Sequence, residues 1–261
     1  MTAVDRETMA EGSKTKAREI VRLAAVGDVH CTKTMRGALQ PLFLQISESA
    51  DVLLFCGDLT NTGSPEEAYI LARELSTSIR IPVLAVLGNH DYESGKQDEV
   101  TQILSDVGVT MLDGDGHEIC GIGFAGVKGF GGGFGERALQ AWGEDTVKAF
   151  VREAVNESLK LESALARLRT DQRIALLHYS PIQGTVEGEP HAIFPFLGSS
   201  RLEEPLNRYS VSAVFHCHAH HGSPEGHTVT GIPVYNVAMP LLQQSFPDRP
   251  PFRLIEIQLS S

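Results

Sequence analysis

The sequence predicts an α/β fold, on three observations. Apolar runs of strand length alternate with segments of helical periodicity, three of those runs end in glycine followed by a metal-ligand type of side chain, and the endings recur at a regular interval. The runs are Leu23 to Val26, closed by Gly27-Asp28-Val29-His30; Val52 to Cys56, closed by Gly57-Asp58-Leu59-Thr60-Asn61; and Val83 to Leu87, closed by Gly88-Asn89-His90-Asp91. Asp58 follows Asp28 by 30 residues and Asn89 follows Asp58 by 31, about the size of a strand-helix-strand unit. Parallel strands joined by right-handed crossovers bring their carboxyl ends to one edge, where α/β sheets bind ligands. One Gly-Asp pair after a strand is an ordinary turn. Three in series mark a site.

The 261 residues are enough for one large domain, expected over 21–261, behind a loose polar tail over 1–20 that offers nothing to bury. With 33 acidic against 22 basic side chains the net charge is −11, which argues against a broad nucleic-acid footprint. Cys31, Cys56, Cys120 and Cys217 lack paired spacing and sit in or beside apolar runs. They read as reduced thiols, with Cys56 and Cys120 as small buried hydrophobes. No stretch reaches membrane-span length and the first residues carry no apolar signal core, so a cytoplasmic protein with no membrane partner is expected.

Taken in order, Leu39, Leu42, Phe43 and Ile46 recur at helical spacing, with Pro41 near the helix start. Ser64-Pro65-Glu66-Glu67 is a helix-opening signature, continued by Ala68, Leu71, Ala72 and Leu75 on one face. Val100, Ile103, Leu104 and Val107 mark a third helix. Short alternating runs at 109–112, 118–120 and 122–127 then read as antiparallel pieces of a second sheet. Gly129 to Gly135 is glycine-rich but lacks the lysine of a nucleotide loop, and is expected to be a mobile loop lining the site. One or two amphipathic helices over 144–169 cover a sheet face. Strands at 173–178 and 211–216 deliver His178 and the cluster His216-Cys217-His218-Ala219-His220-His221. Residues 184–207 are irregular, and strands near 228–230, 234–237 and 252–257 complete the chain.

Asp28, His30, Asp58, Asn89, His178, His218 and His220 make seven donor groups of oxygen and imidazole type with no thiolate pair. Such a set suits manganese, iron or zinc, and its size fits two divalent ions sharing one bridging carboxylate, a geometry that serves phosphoester hydrolysis.

These blocks, Asp28-x-His30, Gly57-Asp58, Gly88-Asn89-His90-Asp91, His178 and His218-x-His220, resemble the five ordered blocks of the calcineurin-like metallophosphoesterase superfamily across residues 23–237. The resemblance implies a four-layer sandwich of two mixed β-sheets flanked by helices. It also implies one metal held by Asp28, His30 and His220, another held by Asn89, His178 and His218, and Asp58 between them. His90 is then the acid beside the leaving oxygen, Asp91 orients its ring, and the nucleophile is a hydroxide held between the ions. The sequence departs from the pattern at Cys217, where glycine is usual. This either shifts the frame or adds a soft ligand, and His216, of the same strand parity as His218, is a reserve candidate. Asn61 either faces the site or is a turn residue, and His191 either touches substrate or is a plain surface histidine. The favoured substrate is a small or nucleotide-like phosphodiester; a phosphomonoesterase and a metal-binding scaffold without turnover are the alternatives.

Overall fold

The computed structural model describes residues 20–259. The first half is a run of parallel β-α-β units: β1 (Ile20–Val26), α1 (Gln40–Ser49), β2 (Val52–Cys56), α2 (Pro65–Ser78), β3 (Val83–Val86), α3 (Gln97–Asp106) and β4 (Val109–Met111). A hairpin of β5 (Asp115–Ile119) and β6 (Ile122–Gly126) leads to the long helix α4 (Asp145–Arg167), then β7 (Gln172–Leu176). The short helices α5 (Phe194–Leu197) and α6 (Glu203–Arg208) precede β8 (Ala213–His216), β9 (Glu225–His227), β10 (Pro233–Asn236), α7 (Met239–Ser245) and β11 (Arg253–Gln258).

The strands form two mixed sheets. One has the order β11-β1-β2-β3-β4, with β11 antiparallel and the rest parallel; the other has the order β5-β6-β7-β8-β10-β9, with antiparallel edges around a parallel centre. Strand alternation builds three apolar layers. Leu23, Ala25, Leu54 and Leu84 face Phe124, Ile174, Leu176 and Phe215 between the sheets. Their neighbours Ala24, Leu53, Phe55 and Ala85 pack outward on Phe43, Ile46, Leu71 and Leu104 of α1, α2 and α3. Beyond the second sheet, Ala175, Leu177 and Val214 meet Leu161 and Leu165 of α4 and Leu206 of α6. The result is helices, sheet, sheet, helices.

Local chemistry explains the elements. The Ser64 side chain accepts the Glu67 amide at 3.4 Å and Pro65 opens α2, while the buried Glu67 carboxylate takes the Thr62 amide at 2.8 Å. Several expectations need correction. The 109–112 run is β4, parallel to β3 in the first sheet, because α3 makes one more crossover; only β5 and β6 of that group pair antiparallel in the second sheet. Cys120 is exposed: with Gly121 it forms the two-residue β5-β6 turn, both at positive φ (54° and 78°), which turns its side chain away from the core. Residues 228–230 are turn, and the strand precedes them as β9. Helix α7, packed through Leu241 and Leu242, is not among the expected elements. Ile20 already belongs to β1, and the rest of the expected tail lies outside the described residues.

Candidate metal centre

Every predicted ligand stands just past the carboxyl end of a strand: Asp28 and His30 after β1, Asp58 after β2, Asn89 after β3, His178 after β7, and His218 and His220 after β8. Loop-to-loop hydrogen bonds hold the ends together. The Asp28 amide donates to the Gly57 carbonyl and the His30 amide to the Asp58 carbonyl, both at 3.0 Å. Asp28, His30, Asp58 and His218 all have positive φ, between 42° and 74°. Non-glycine residues in that region cluster at functional sites, because only a firmly built surround holds them there.

The glycines of the motifs are explained by crowding. A Cβ on Gly88 would lie 2.1 Å from Asp58 Oδ1, one on Gly57 2.6 Å from His178 Nδ1, and one on Gly27 2.5 Å from Cys217 Sγ. Each glycine lets backbone approach the site more closely than any other residue permits.

Donor atoms converge in four groups, each with its atoms within 4.8 Å of one another: Asp28, His30 and His220; His30, Asp58 and His90; Asp58, His178 and His218; and Asp28, His178 and Cys217. Asn89 joins the third group through Oδ1, 2.8 Å from His178 Nε2. Asp28 and Asp58 are both buried. Asp28 Oδ2 accepts the His218 amide at 2.8 Å and lies 3.3 Å from His220 Nε2, whereas buried Asp28 Oδ1, 4.0 Å from His178 Nδ1, has no hydrogen-bond partner among the described residues. Asp58 Oδ1 accepts the His90 amide at 2.9 Å and faces His178 Nε2 at 3.6 Å; Oδ2 faces His30 and His90 at 3.8 and 4.0 Å.

The electrostatics fit a cation. Burial, then the charges of Asp28 and Asp91, push the Asp58 carboxyl up to about 9, so without a cation it holds a proton. Burial opposes ionisation of Asp28 too, but the hydrogen bond from His220 and the neighbouring imidazoles hold its carboxyl below the usual range. Burial pushes His30 down to about 4 and lowers His178 and His218 as well. Neutral imidazole is the ligating form. Two adjacent buried carboxylates among imidazoles, with His30, His178 and His218 favoured neutral by burial and His220 raised by its hydrogen bond to Asp28, are a donor set that fits divalent cations.

The model for calcineurin-like phosphoesterases matches residues 21–222. The chain belongs to that family. No curated protein matches the sequence. Among solved structures, phosphopantetheinyl hydrolase from Mycobacterium tuberculosis superposes with a TM-score of 0.64 at 15% identity, covering 89% of this chain and 95% of the other. TT1561 of Thermus thermophilus gives 0.52 at 16%, over 92% and 99%. A candidate 5'-nucleotidase from Staphylococcus aureus in complex with alpha-ketoglutarate gives 0.50 at 15%, over 84% of this chain and 48% of that one. These likenesses establish the metallophosphoesterase sandwich, and the chain is a metal-dependent phosphoesterase by family.

Within this phosphoesterase centre, backbone carbonyls orient the histidine rings. His90 Nδ1 lies 2.7 Å from the Asn61 carbonyl, His178 Nδ1 3.1 Å from that of Cys56, and His218 Nε2 3.2 Å from that of Phe196. Sequence reasoning missed all three partners, since a carbonyl leaves no mark on residue type. Asn61 therefore serves through its backbone. Asp91 does not contact the His90 ring: its carboxylate accepts the amides of Leu59, Thr60 and Gly88 and the Thr60 hydroxyl at 2.6–3.1 Å, lacing the loop after β2 to the loop after β3.

The remaining expectations resolve locally. His216 stands outside the donor groups, with its nitrogens 2.8 Å from Thr185 Oγ1 and from the Cys217 carbonyl. Cys217 Sγ donates to the Cys56 carbonyl at 2.7 Å and lies 3.1 Å from His178 Nδ1; burial pushes its thiol well up, away from the thiolate a metal binds. Exposed His191 packs its ring on Phe194. The glycine-rich segment is tied down, with the Gly129 amide on Glu157 Oε2 at 2.7 Å and those of Gly132 and Gly133 on the carbonyls of Pro195 and Gly198. With those amides taken, the segment is not an open phosphate cradle.

Proposed function

We propose that the chain hydrolyses a small or nucleotide-like phosphodiester at a two-cation centre. Asp28, His30 and His220 hold one ion, Asn89, His178 and His218 hold the other, and Asp58 serves both. The observation that carries this reading is the pair of buried carboxylates, each shared between two donor groups, with Asp28 Oδ1 accepting no hydrogen bond among the described residues. Bound there, manganese, iron or zinc would supply the positive charge that acidifies water and neutralises phosphoryl oxygens.

The chain's own groups divide the remaining work. His90, half-exposed and held by the Asn61 carbonyl, presents Nε2 toward Asp58 and gives or shares a proton at the leaving oxygen. The carbonyls of Cys56 and Phe196 hold the rings of His178 and His218 in place. Asp91 keeps the loops bearing Asp58 and Asn89 in register. Water is the nucleophile.

A diester is favoured over a monoester on charge. Among the described residues, no Lys or Arg side chain hydrogen-bonds or ion-pairs with any of the seven candidate ligands, and Lys128, whose carbonyl accepts the His178 amide at 3.0 Å, has its own ammonium buried against Tyr179 and Phe130. A monoanionic diester suits such a site better than a dianionic monoester. The deciding experiment is a rate panel of aryl phosphomonoesters and phosphodiesters on protein reconstituted with Mn²⁺, Zn²⁺ or Fe²⁺. Higher kcat/KM for diesters supports the reading, higher kcat/KM for monoesters selects the phosphomonoesterase, and metal binding without turnover selects the scaffold.

A further inference from the structure

We propose that Phe196 and the aromatic side chains behind it form a recognition wall for a planar ring, nucleobase or aryl, attached to the phosphoester. The inference rests on the phosphoesterase reading and adds a substrate class to it.

The position of Phe196 is set by its backbone. Its carbonyl accepts from His218 Nε2 at 3.2 Å, so the residue is one hydrogen bond from a ligand of the centre. The segment around it is held on both sides: the Gly132 amide donates to the Pro195 carbonyl at 2.6 Å, the Gly133 amide to that of Gly198 at 2.9 Å, and the Ser180 amide to that of Leu197 at 3.0 Å. On this anchored segment Phe194 and Leu197 are buried, yet the Phe196 side chain is 58% exposed. A phenyl ring in water forgoes the stabilisation of burial, and this one does so on a residue whose own carbonyl holds His218.

The ring does not stand alone. Phe150 lies 6.2 Å from it edge-on, Phe130 is 4.8 Å from Phe150, and Tyr179 is 5.8 Å from Phe130. Tyr179 in turn lies 4.6 Å from the imidazole of His218. Ring-to-ring contacts therefore run from exposed Phe196 through partly buried Phe150 and Phe130 and buried Tyr179 to His218. The Lys128 ammonium, 4.9 Å from the Phe130 ring and 5.4 Å from that of Tyr179, braces the inner part from behind. A planar group attached to the phosphoester finds at Phe196 a face to stack on, and stacking tolerates any ring with a π-face.

The test uses the full chain loaded with Mn²⁺ and two competitive inhibitors whose carbon–phosphorus bond resists hydrolysis, phenylphosphonate and methylphosphonate, against turnover of bis(4-nitrophenyl) phosphate. Wild type is expected to bind the phenyl compound the more tightly. Phe196→Ala should shrink that preference about fivefold or more, raise KM for the diester more than it lowers kcat, and keep its metal, because the carbonyl that holds His218 remains. Phe196→Trp should restore the preference. An unchanged ratio of the two inhibition constants in Phe196→Ala overturns the wall, whether or not its metal content falls. Absence of turnover by metal-loaded wild type instead sinks the phosphoesterase reading itself, so the two failures are told apart.

Discussion

The two sheets supply the centre in different ways. The first sheet contributes Asp28, His30, Asp58 and Asn89 on loops that follow Gly27, Gly57 and Gly88, three of the four residues at positive φ and all laced by one another's backbones and by Asp91. The second contributes only imidazoles, His178, His218 and His220, and orients the first two through main-chain carbonyls. Carboxylate charge thus comes from one wall and imidazole alone from the other. The first wall favours a cation, since without one burial and the Asp28 charge leave a proton on Asp58, and the second adds imidazole donors.

The sharpest way to break this contrast is at Asp58, the carboxylate proposed to bridge. Asp58→Asn is expected to cost more metal and more activity than loss of any orienting partner, exceeding the roughly 10–100-fold typical of outer partners; elemental analysis showing two ions retained per chain would remove the bridge. His90→Ala follows, with kcat down about 10²–10⁴-fold and metal content unchanged; a normal kcat would dismiss its role at the leaving oxygen. Asp91→Ala leaves four donors without their acceptor and should cost about 3 kcal/mol of stability, seen as a lowered Tm in both metal-free and metal-loaded protein. If the loss appears only with metal bound, Asp91 belongs to the centre and not to the lacing. Smallest is Cys217→Ala on the second wall, about 1 kcal/mol with metal retained; metal lost in step with the thiol would make Cys217 a ligand.

What can be read without coordinates follows the same division. The ligands of both walls are side chains of distinctive type at strand ends, so periodicity and spacing locate Asp28, Asp58, Asn89 and His178. Parity pairs His218 with His220. The sandwich itself is implied by family likeness, and the double-sided burial of β1 and β2 agrees with it. The rest has no sequence mark. The carbonyls of Cys56, Asn61 and Phe196 could belong to any residue, and the partners of Asp91 are mostly backbone amides. Three-residue β4 carries no signal for which sheet it joins, and a Cys-Gly turn lacks the Asn or Asp that usually announces its type.

The left-handed backbone at Asp28, His30, Asp58 and His218 also constrains descent. That conformation admits glycine, asparagine, aspartate and histidine far more readily than bulky or branched residues. Apart from glycine, the side chains that tolerate the shape are oxygen and nitrogen donors. Main-chain geometry therefore screens substitutions in advance, and a lineage drifting away from catalysis would first exchange one donor for another or for glycine, shedding its ions well before losing the architecture that once gathered them.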